Sequence, residues 1–378
     1  MTRPRNYRVL SLLGILLAAA LILLLFEHRP SFLRPGLRLN AYVTTSDGNL
    51  TVVDLVKLGA IAHIPIGQKL SGVREHPTRP EVWGVSTAEG FVWVLDTRTN
   101  QLTAKIRVGS LPYALDFSPD GARAYVTSSG NNTLVAIDCR TRAILGTAKT
   151  GREPVLARST PDGKTIVVAN RGDATVSLHD AATLAQRGTI PVVARPEDIA
   201  IMANSSIAFV RSASEARISV VDLRRGVLLT HLELAGRPTQ MLLKPDGGEL
   251  YLISPEAHGL QVINTATHEV GDYMVLGSAP TRAILSADAS LMYVSDTAAN
   301  RIIPVDIVDR HLDRDPGKGF PVPAGQSPSA LRLDPQENLL LAVNHDSGDI
   351  AIIRVRTNYL VTMIPVGDNP TDLAVKLF

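Results

Sequence analysis

Residues 124–141 read AYVTSSGNNTLVAIDCRT. Two runs rich in β-branched and small apolar residues flank a Gly-Asn-Asn turn, and the second run ends at Asp138, where another turn begins. Such runs between turn residues are typical of short β-strands. The run that ends in Asp recurs at a constant spacing in the sequence, equal to the number of residues from Asp96 to Asp138. The seven regular copies end at Asp54, Asp96, Asp138, Asp180, Asp222, Asn264 and Asp306, and an eighth ends at Arg354 after a slightly longer interval.

Two further features repeat in the same phase. Prolines recur at the same interval from Pro112 to Pro280, and the turn Pro-Asp-Gly recurs as SPDG, TPDG and KPDG. One unit therefore contains four short strands, predicted at Pro112–Ser118, Ala124–Ser128, Thr133–Asp138 and Ala143–Thr150. Four strands in about 40–45 residues is the pattern of one blade of a β-propeller, and the interval observed falls in this range. We predict an all-β, eight-bladed propeller over residues 40–378, with the C-terminal strand Thr371–Phe378 completing the first blade and closing the ring.

A different pattern occupies the N-terminus. Val9–Phe26 is an apolar run without a charge, preceded by Arg3, Arg5 and Arg8. As a helix it would extend about 27 Å, close to the thickness of a bilayer core. The run lacks a small-residue cleavage site at its end, which favours an uncleaved anchor over a cleaved signal peptide. We predict a tail at 1–8, a single transmembrane helix at 9–26, a linker at 27–39, and a propeller on the periplasmic or extracellular side of the cell membrane.

Composition narrows the functional classes. The 378 residues carry a net charge of +2, which gives no reason to expect a nucleic-acid partner. Cys139 is the single cysteine, so an intramolecular disulfide, a cysteine-rich zinc site and a cysteine-ligated iron–sulfur cluster are excluded. The sequence also lacks a haem-attachment CxxCH, a GxSxG elbow, an HExxH motif and a phosphate-binding loop.

The repeat resembles the YVTN family of β-propeller repeats. The matching segments are residues 124–141 and YVSDTAANRIIPVD at Tyr293–Asp306, together with the SPDG turns. The resemblance extends over residues 40–378 and implies the propeller fold. It leaves function open, because similar repeats occur in surface-layer proteins, lactonase-like propellers, propeller subunits of quinoprotein dehydrogenases and the haem-binding propeller of cytochrome-type nitrite reductase.

The aspartates that end the repeated runs are interpreted as turn residues, since an Asp side chain at that position accepts hydrogen bonds from its own turn. Residues of a ligand site should instead differ from the repeated sequence pattern and lie together on one face of the propeller. Four arginines are assigned to the loops that precede the inner strands of four consecutive blades: Arg152, Arg195, Arg237 and Arg282. We expect them to form a basic arc at the channel entrance, suited to a carboxylate, a phosphate or an acidic protein surface.

Two histidines are the remaining candidates for ligand binding. His258 and His345 fall in loops on the same predicted face and could hold a metal or haem. The sequence favours no cofactor and no metal, with haem as the alternative. The insertion 309–320, DRHLDRDPGKGF, is a second departure from symmetry and could contact a partner.

These observations favour a non-catalytic, membrane-anchored binding or scaffold module for a protein or small anionic ligand. The alternative is an enzyme or accessory protein, lactonase-like or handling haem. No catalytic residue is predicted.

Overall fold

The computed structural model describes residues 38–308, 311–312 and 321–378. Residues 39–378 form one compact unit, in which the strands assemble into eight antiparallel sheets. The predicted eight-bladed propeller is therefore confirmed. The predicted membrane segment Val9–Phe26 and most of the insertion 309–320 lie outside the described residues. In the described ranges, no helix has the length and apolar character needed to cross a membrane.

Each blade has four strand positions, counted from the central channel outward. The inner strands are β4 (Leu70–Glu75), β8 (Pro112–Phe117), β12 (Pro154–Ser159), β16 (Pro196–Ile201), β20 (Gln240–Leu243), β24 (Pro280–Leu285), β29 (Pro328–Leu333) and β33 (Pro370–Leu377). The second strands are β1 (Leu39–Thr45), β5 (Glu81–Ser86), β9 (Arg123–Ser128), β13 (Thr165–Asn170), β17 (Ile207–Ser212), β21 (Glu249–Ser254), β25 (Leu291–Asp296) and β30 (Leu339–Asn344).

The third strands are β2 (Asn49–Asp54), β6 (Phe91–Asp96), β10 (Thr133–Asp138), β14 (Thr175–Asp180), β18 (Arg217–Asp222), β22 (Gly259–Asn264), β26 (Arg301–Asp306) and β31 (Asp349–Arg354). The outer strands are β3 (Gly59–Pro65), β7 (Gln101–Arg107), β11 (Ile144–Lys149), β15 (Gln186–Pro191), β19 (Val227–Glu233), β23 (Glu269–Val275) and β32 (Tyr359–Pro365). In the seventh blade two short strands, β27 (His311–Leu312) and β28 (Val322–Pro323), pair with the ends of β26. A short 3₁₀ helix spans Thr297–Ala299.

The ring closes as the repeat predicts. The C-terminal strand β33 pairs antiparallel with the N-terminal strand β1, in the register Leu39↔Leu377 to Thr44↔Asp372. The first blade is thus built from both ends of the propeller sequence. Pairing of β1 with β33 satisfies the backbone groups of an edge that would otherwise be open to another chain.

The core lies between adjacent blades. The second and third strands are buried along most of their length, whereas the outer strands alternate between exposed and half-buried residues. Tyrosines of the second strands bind the neighbouring blade: the Tyr125 hydroxyl donates to the Ala181 carbonyl at 3.0 Å, and Tyr42 to that of Thr97 at 3.2 Å. Each blade is therefore stabilised chiefly by its neighbours, as in other repeat proteins.

The repeated aspartates are turn residues. The Asp138 carboxylate accepts hydrogen bonds from the backbone amides of Arg140 and Thr141 at 2.9 and 2.7 Å, and Asp180 does the same for Ala182 and Thr183. These side chains satisfy donors that the turn leaves unpaired. The repeated acidic residues thus have a structural role.

The loops that precede the inner strands lie beside the loops that join second and third strands. For example, the backbone amide of Ser278, before β24, donates to Asp296, at the end of β25. We call the face that carries both sets of loops the upper face. Inner strands commonly have a bulge just after their first residue, as at Pro196/Asp198 and Pro280/Arg282. Because a bulge changes the direction of the side chains beside it, residues at this point can depart from regular pairing.

Candidate functional site

The four predicted arginines occupy different environments. Arg152 forms an ion pair with Asp173 at 2.5 Å, and Arg237 forms one with Glu256 at 2.8 Å. Arg195 is exposed, with a left-handed backbone φ of 48°. Arg282 lies on the inner strand β24, just after Pro280 and Thr281, and its assignment to the preceding loop was wrong. The arc of four equivalent loop arginines is therefore not formed.

The two predicted histidines lie on the upper face, each hydrogen-bonded locally. The Nδ1 of His258 is 2.7 Å from the Ser278 carbonyl, and the Nδ1 of His345 is 2.7 Å from the Asp346 carboxylate. In the described part of the chain, no group of three or more His, Cys, Asp or Glu side chains is arranged to hold a metal ion.

A departure from the repeat occurs on the second strand of the fifth blade. Arg211 stands at a position of β17 where the other blades have small or apolar buried residues: Thr44, Val85, Thr127, Ala169, Ile253, Ser295 and Val343. Arg211 is itself buried, with 8% of its surface exposed. Because burying a guanidinium is costly, its presence at a position that normally holds a small side chain indicates a specific role.

The neighbouring hydroxyl network is also replaced at this point. In other blades, the second residue of the inner strand is a Ser or Thr whose hydroxyl forms a hydrogen bond with the hydroxyl of the residue that follows the second strand. Ser71 and Thr87 form such a bond at 2.9 Å. Thr281 and Thr297 form the same kind of pair. In the fourth and fifth blades charged residues, Arg171 and Glu197, occupy such positions, and an ion pair takes the place of neutral hydrogen bonds.

Glu197 joins two arginines from adjacent blades. Its carboxylate accepts from the Arg171 guanidinium at 3.0 Å and from that of Arg211 at 3.3 Å. Arg211 also donates to the Pro238 carbonyl of the sixth blade at 3.0 Å. The Nε atoms of Arg171 and Arg211 are buried and have no hydrogen-bond partner among the described residues. Each guanidinium thus has one donor that is closed off from solvent and unpaired within the described residues.

Arg282 extends this group into the seventh blade. Its guanidinium donates to the carbonyl of Thr239, on the sixth blade, at 2.8 Å. Solvent reaches the side chain, yet enough protein surrounds it for desolvation to lower its pKa, and the positive charge of Arg211 lowers that pKa further. Asp198, Asp372 and Glu197 act on the pKa of Arg282 in the opposite direction; the two aspartates lie on inner strands two blades away on either side. Arg282 lies on the inner strand β24, and the inner strands surround the central channel.

We call Arg171, Arg211 and Arg282, together with Glu197, the arginine arc. Its three guanidinium groups are accompanied by one directly bonded carboxylate, which leaves a net charge of +2. Two other arginines of the inner strands are matched: Arg158 lies 3.6 and 3.9 Å from two aspartates, and Arg332 lies 3.2 Å from Asp372. The arc thus contains more guanidinium groups than carboxylates, while Asp198 and Asp372 on other inner strands also act on Arg282.

The sequence analysis named Arg282 as a candidate residue but did not include Arg171, Glu197 or Arg211 among its candidates. The available signal was the repeat itself. Each of the three is a charged residue at a position that is small, hydroxyl-bearing or apolar in most other blades. Aligning strand positions as well as loops would have singled them out.

No family model matches the sequence, and the search of curated proteins found no relative. Several solved structures are similar in fold. Dihydro-heme d1 dehydrogenase NirN, in complex with DHE, has a TM-score of 0.72 and 18% identity, covering 92% of this chain and 76% of NirN. Hydrazine synthase from Kuenenia stuttgartiensis has a TM-score of 0.58 and 18% identity, covering 75% of this chain and 95% of that one.

A protein of unknown function from Desulfotomaculum acetoxidans DSM 771 has a TM-score of 0.60 and 16% identity, covering 77% of this chain and 97% of that one. At these identities the similarity establishes the β-propeller fold and leaves activity open.

Proposed function

We propose that the chain is a membrane-anchored binding module outside the cytoplasm, and that it holds a small anionic ligand at the arginine arc. The observation that carries this proposal is the excess of arginines over directly bonded carboxylates in the arc, formed by residues that break the repeat. Arg211 and Arg282 are partly desolvated cations close enough for one to lower the pKa of the other. An anion between them would relieve their repulsion and accept charge-assisted hydrogen bonds, each worth about 1.5–3 kcal/mol.

Glu197 alone does not satisfy all the donors of Arg171 and Arg211. A structural ion pair normally satisfies its buried donors, whereas Arg171 and Arg211 each reach Glu197 through one terminal nitrogen and leave Nε unused within the described residues. A carboxylate or similar oxyanion offers several acceptor sites and can bind a guanidinium through two nitrogens.

The anchor and the outward location of the domain rest on the sequence of residues 1–39. The upper-face loops carry further charges that are exposed, including Arg195. Such charges would steer an anionic ligand toward the channel entrance with a strength that falls as salt rises.

A haem-type ligand is a second candidate, because NirN, a dihydro-heme d1 dehydrogenase, is similar to this chain over 92% of the chain. The arc fits carboxylate substituents of such a ring. The described residues do not fit the iron, since no imidazole among them contacts the arc, and His258 and His345 bond to groups of the upper-face loops. A visible absorption spectrum of protein purified from its native membrane tests this candidate.

Calorimetric titration with citrate at low ionic strength tests the main proposal. We expect binding to the wild-type propeller and at least a tenfold loss of affinity in Arg282→Gln, as expected for losing one charge-assisted contact. Arg237→Gln is the matched control, because Arg237 is ion-paired to Glu256 on the same face. Equal affinities in wild type and Arg282→Gln, or no binding to either, would refute the proposal.

A further inference from the structure

Two large apolar side chains are exposed on the third blade, next to the Arg171 end of the arginine arc. Leu111, in the loop before β8, is 51% exposed, and Tyr113, on β8, is 39% exposed. The other large apolar side chains that are exposed in the described residues lie on outer strands or on turns of the opposite face. On the upper face, therefore, exposed apolar surface is concentrated at this end of the arc.

Tyr113 also departs from the repeat. Serine or threonine stands at the same inner-strand position in most other blades, as Ser71, Thr239, Thr281, Ser329 and Thr371. The Tyr113 hydroxyl accepts a hydrogen bond from Arg171 at 3.0 Å, and the Arg171 guanidinium carbon lies 5.0 Å from the centre of the ring. The ring is thus fixed in place by a cation–π contact while part of it stays open to solvent.

A chain of contacts connects the aromatic end to the cationic end. Tyr113 contacts Arg171, Arg171 contacts Glu197, and Glu197 contacts Arg211. Arg211 and Arg282 donate to the consecutive carbonyls of Pro238 and Thr239. An exposed aromatic edge on the third blade is therefore linked, residue by residue, to a partly desolvated cation on the seventh.

We infer that the ligand of this site is an organic acid with an aromatic or conjugated body, whose carboxylate pairs with Arg211 and Arg282 and whose apolar body lies against Tyr113 and Leu111. This inference rests on the proposed anion-binding function and specifies the class of ligand. An inorganic anion would use the arginines alone and leave the apolar end exposed. An aromatic acid would use both ends, since rings pack favourably on tyrosine and on apolar side chains.

The fluorescent probe 1-pyrenebutyrate carries both features, and two related compounds separate them. Butyrate keeps the carboxylate without the rings, and 1-pyrenebutanol keeps the rings without the charge. We expect pyrenebutyrate to bind at least tenfold more tightly than either compound. Tyr113→Ser, which introduces the residue of other blades, should weaken pyrenebutyrate binding about fivefold, the size of an aromatic contact. The same change should leave citrate affinity within about twofold of wild type.

Tyr273→Ser is the matched control, because Tyr273 is 43% exposed but lies on the outer strand β23. Arg282→Gln should reduce affinity for both citrate and pyrenebutyrate. If citrate binds in an Arg282-dependent way but pyrenebutyrate binds no better than butyrate, the aromatic inference fails and the anion-binding proposal stands. If pyrenebutyrate and pyrenebutanol bind equally and Tyr113→Ser has no effect, the inference also fails. If neither citrate nor pyrenebutyrate binds in a way that depends on Arg282, both the aromatic inference and the anion-binding proposal are refuted.

Discussion

Removing the closing strand should destabilise the whole propeller. Deletion of residues 371–378 removes the side chains of Leu373 and Val375, which are 0% and 6% exposed, and leaves the inner edge of β1 unpaired. Burial of two such side chains contributes roughly 3–6 kcal/mol. The deletion also removes the contact of Asp372 with Arg332 and that of Lys376 with the His76 carbonyl. Since domains are stable by only about 5–15 kcal/mol, the truncated chain should retain little stability.

The expected shift in melting temperature follows from the size of the domain. At roughly 2.1 cal/mol/K per residue, unfolding of residues 39–378 has an entropy of about 0.7 kcal/mol/K, so 3–6 kcal/mol corresponds to a fall of about 4–9 °C. The loss of backbone pairing increases this value. Circular dichroism against temperature measures it, with deletion of the half-buried Phe378 alone as control.

Complementation makes this test specific. A synthetic peptide of residues 370–378, added to the truncated protein, should restore part of the lost melting temperature, because β1 keeps an open edge that matches it. A truncated protein that melts within about 1 °C of the full-length protein would contradict the closure of the ring by β33.

Three further outcomes are expected. Burial lowers the pKa of His76, so the stability provided by its neutral form is complete above about pH 6.5 and is lost as the pH falls below this value. In His76→Asn the side chain can still accept hydrogen bonds from the turn amides of Thr78 and Arg79, and the melting temperature should fall less between pH 7 and pH 5 than it does in the wild type. An equal fall in both proteins would exclude His76 as a cause of the pH dependence. Arg195→Ala with Arg237→Ala should lower the melting temperature by at most about 3 °C, because exposed charges contribute about 0–1 kcal/mol each, and should weaken citrate binding at low salt by much less than Arg282→Gln does; a loss of affinity as large as that of Arg282→Gln would relocate the site to the loops. The purified native protein should retain Val9–Phe26 and expose its propeller to protease in spheroplasts; a mature N-terminus after Phe26, or a protected domain, would contradict the predicted anchor or its orientation.

The fold was predictable because the sequence repeats with the period of the blades. Prolines, Pro-Asp-Gly turns and terminal aspartates recur in phase, and each marks a turn whose geometry depends on local side-chain and backbone bonds. The strand bounds followed closely, as for the third strand Thr133–Asp138, which was predicted at the same residues. Closure followed from the incomplete blades at the two ends of the repeat.

The site was harder to predict because its members come from different strand positions in different blades. Arg171 follows a second strand, Arg211 lies within one, and Glu197 and Arg282 lie in the bulged part of inner strands. Their contact depends on how neighbouring blades pack, which a repeat pattern does not specify. Reading the loops alone selected Arg152 and Arg237, which are satisfied by Asp173 and Glu256. The buried Arg211 gave the clearest sequence signal, as a charge in an otherwise small or apolar position.

A crystal of the propeller soaked in selenate tests the central claim most directly, because the anomalous scattering of selenium shows where the oxyanion is bound. We predict a peak within about 4 Å of the guanidinium groups of Arg211 and Arg282 in the wild-type protein, the range of a direct ion pair, and its loss in Arg282→Gln. A map with peaks at Arg152, Arg195 or Arg237 and none at the arginine arc would contradict the assignment of this surface as an anion-binding site.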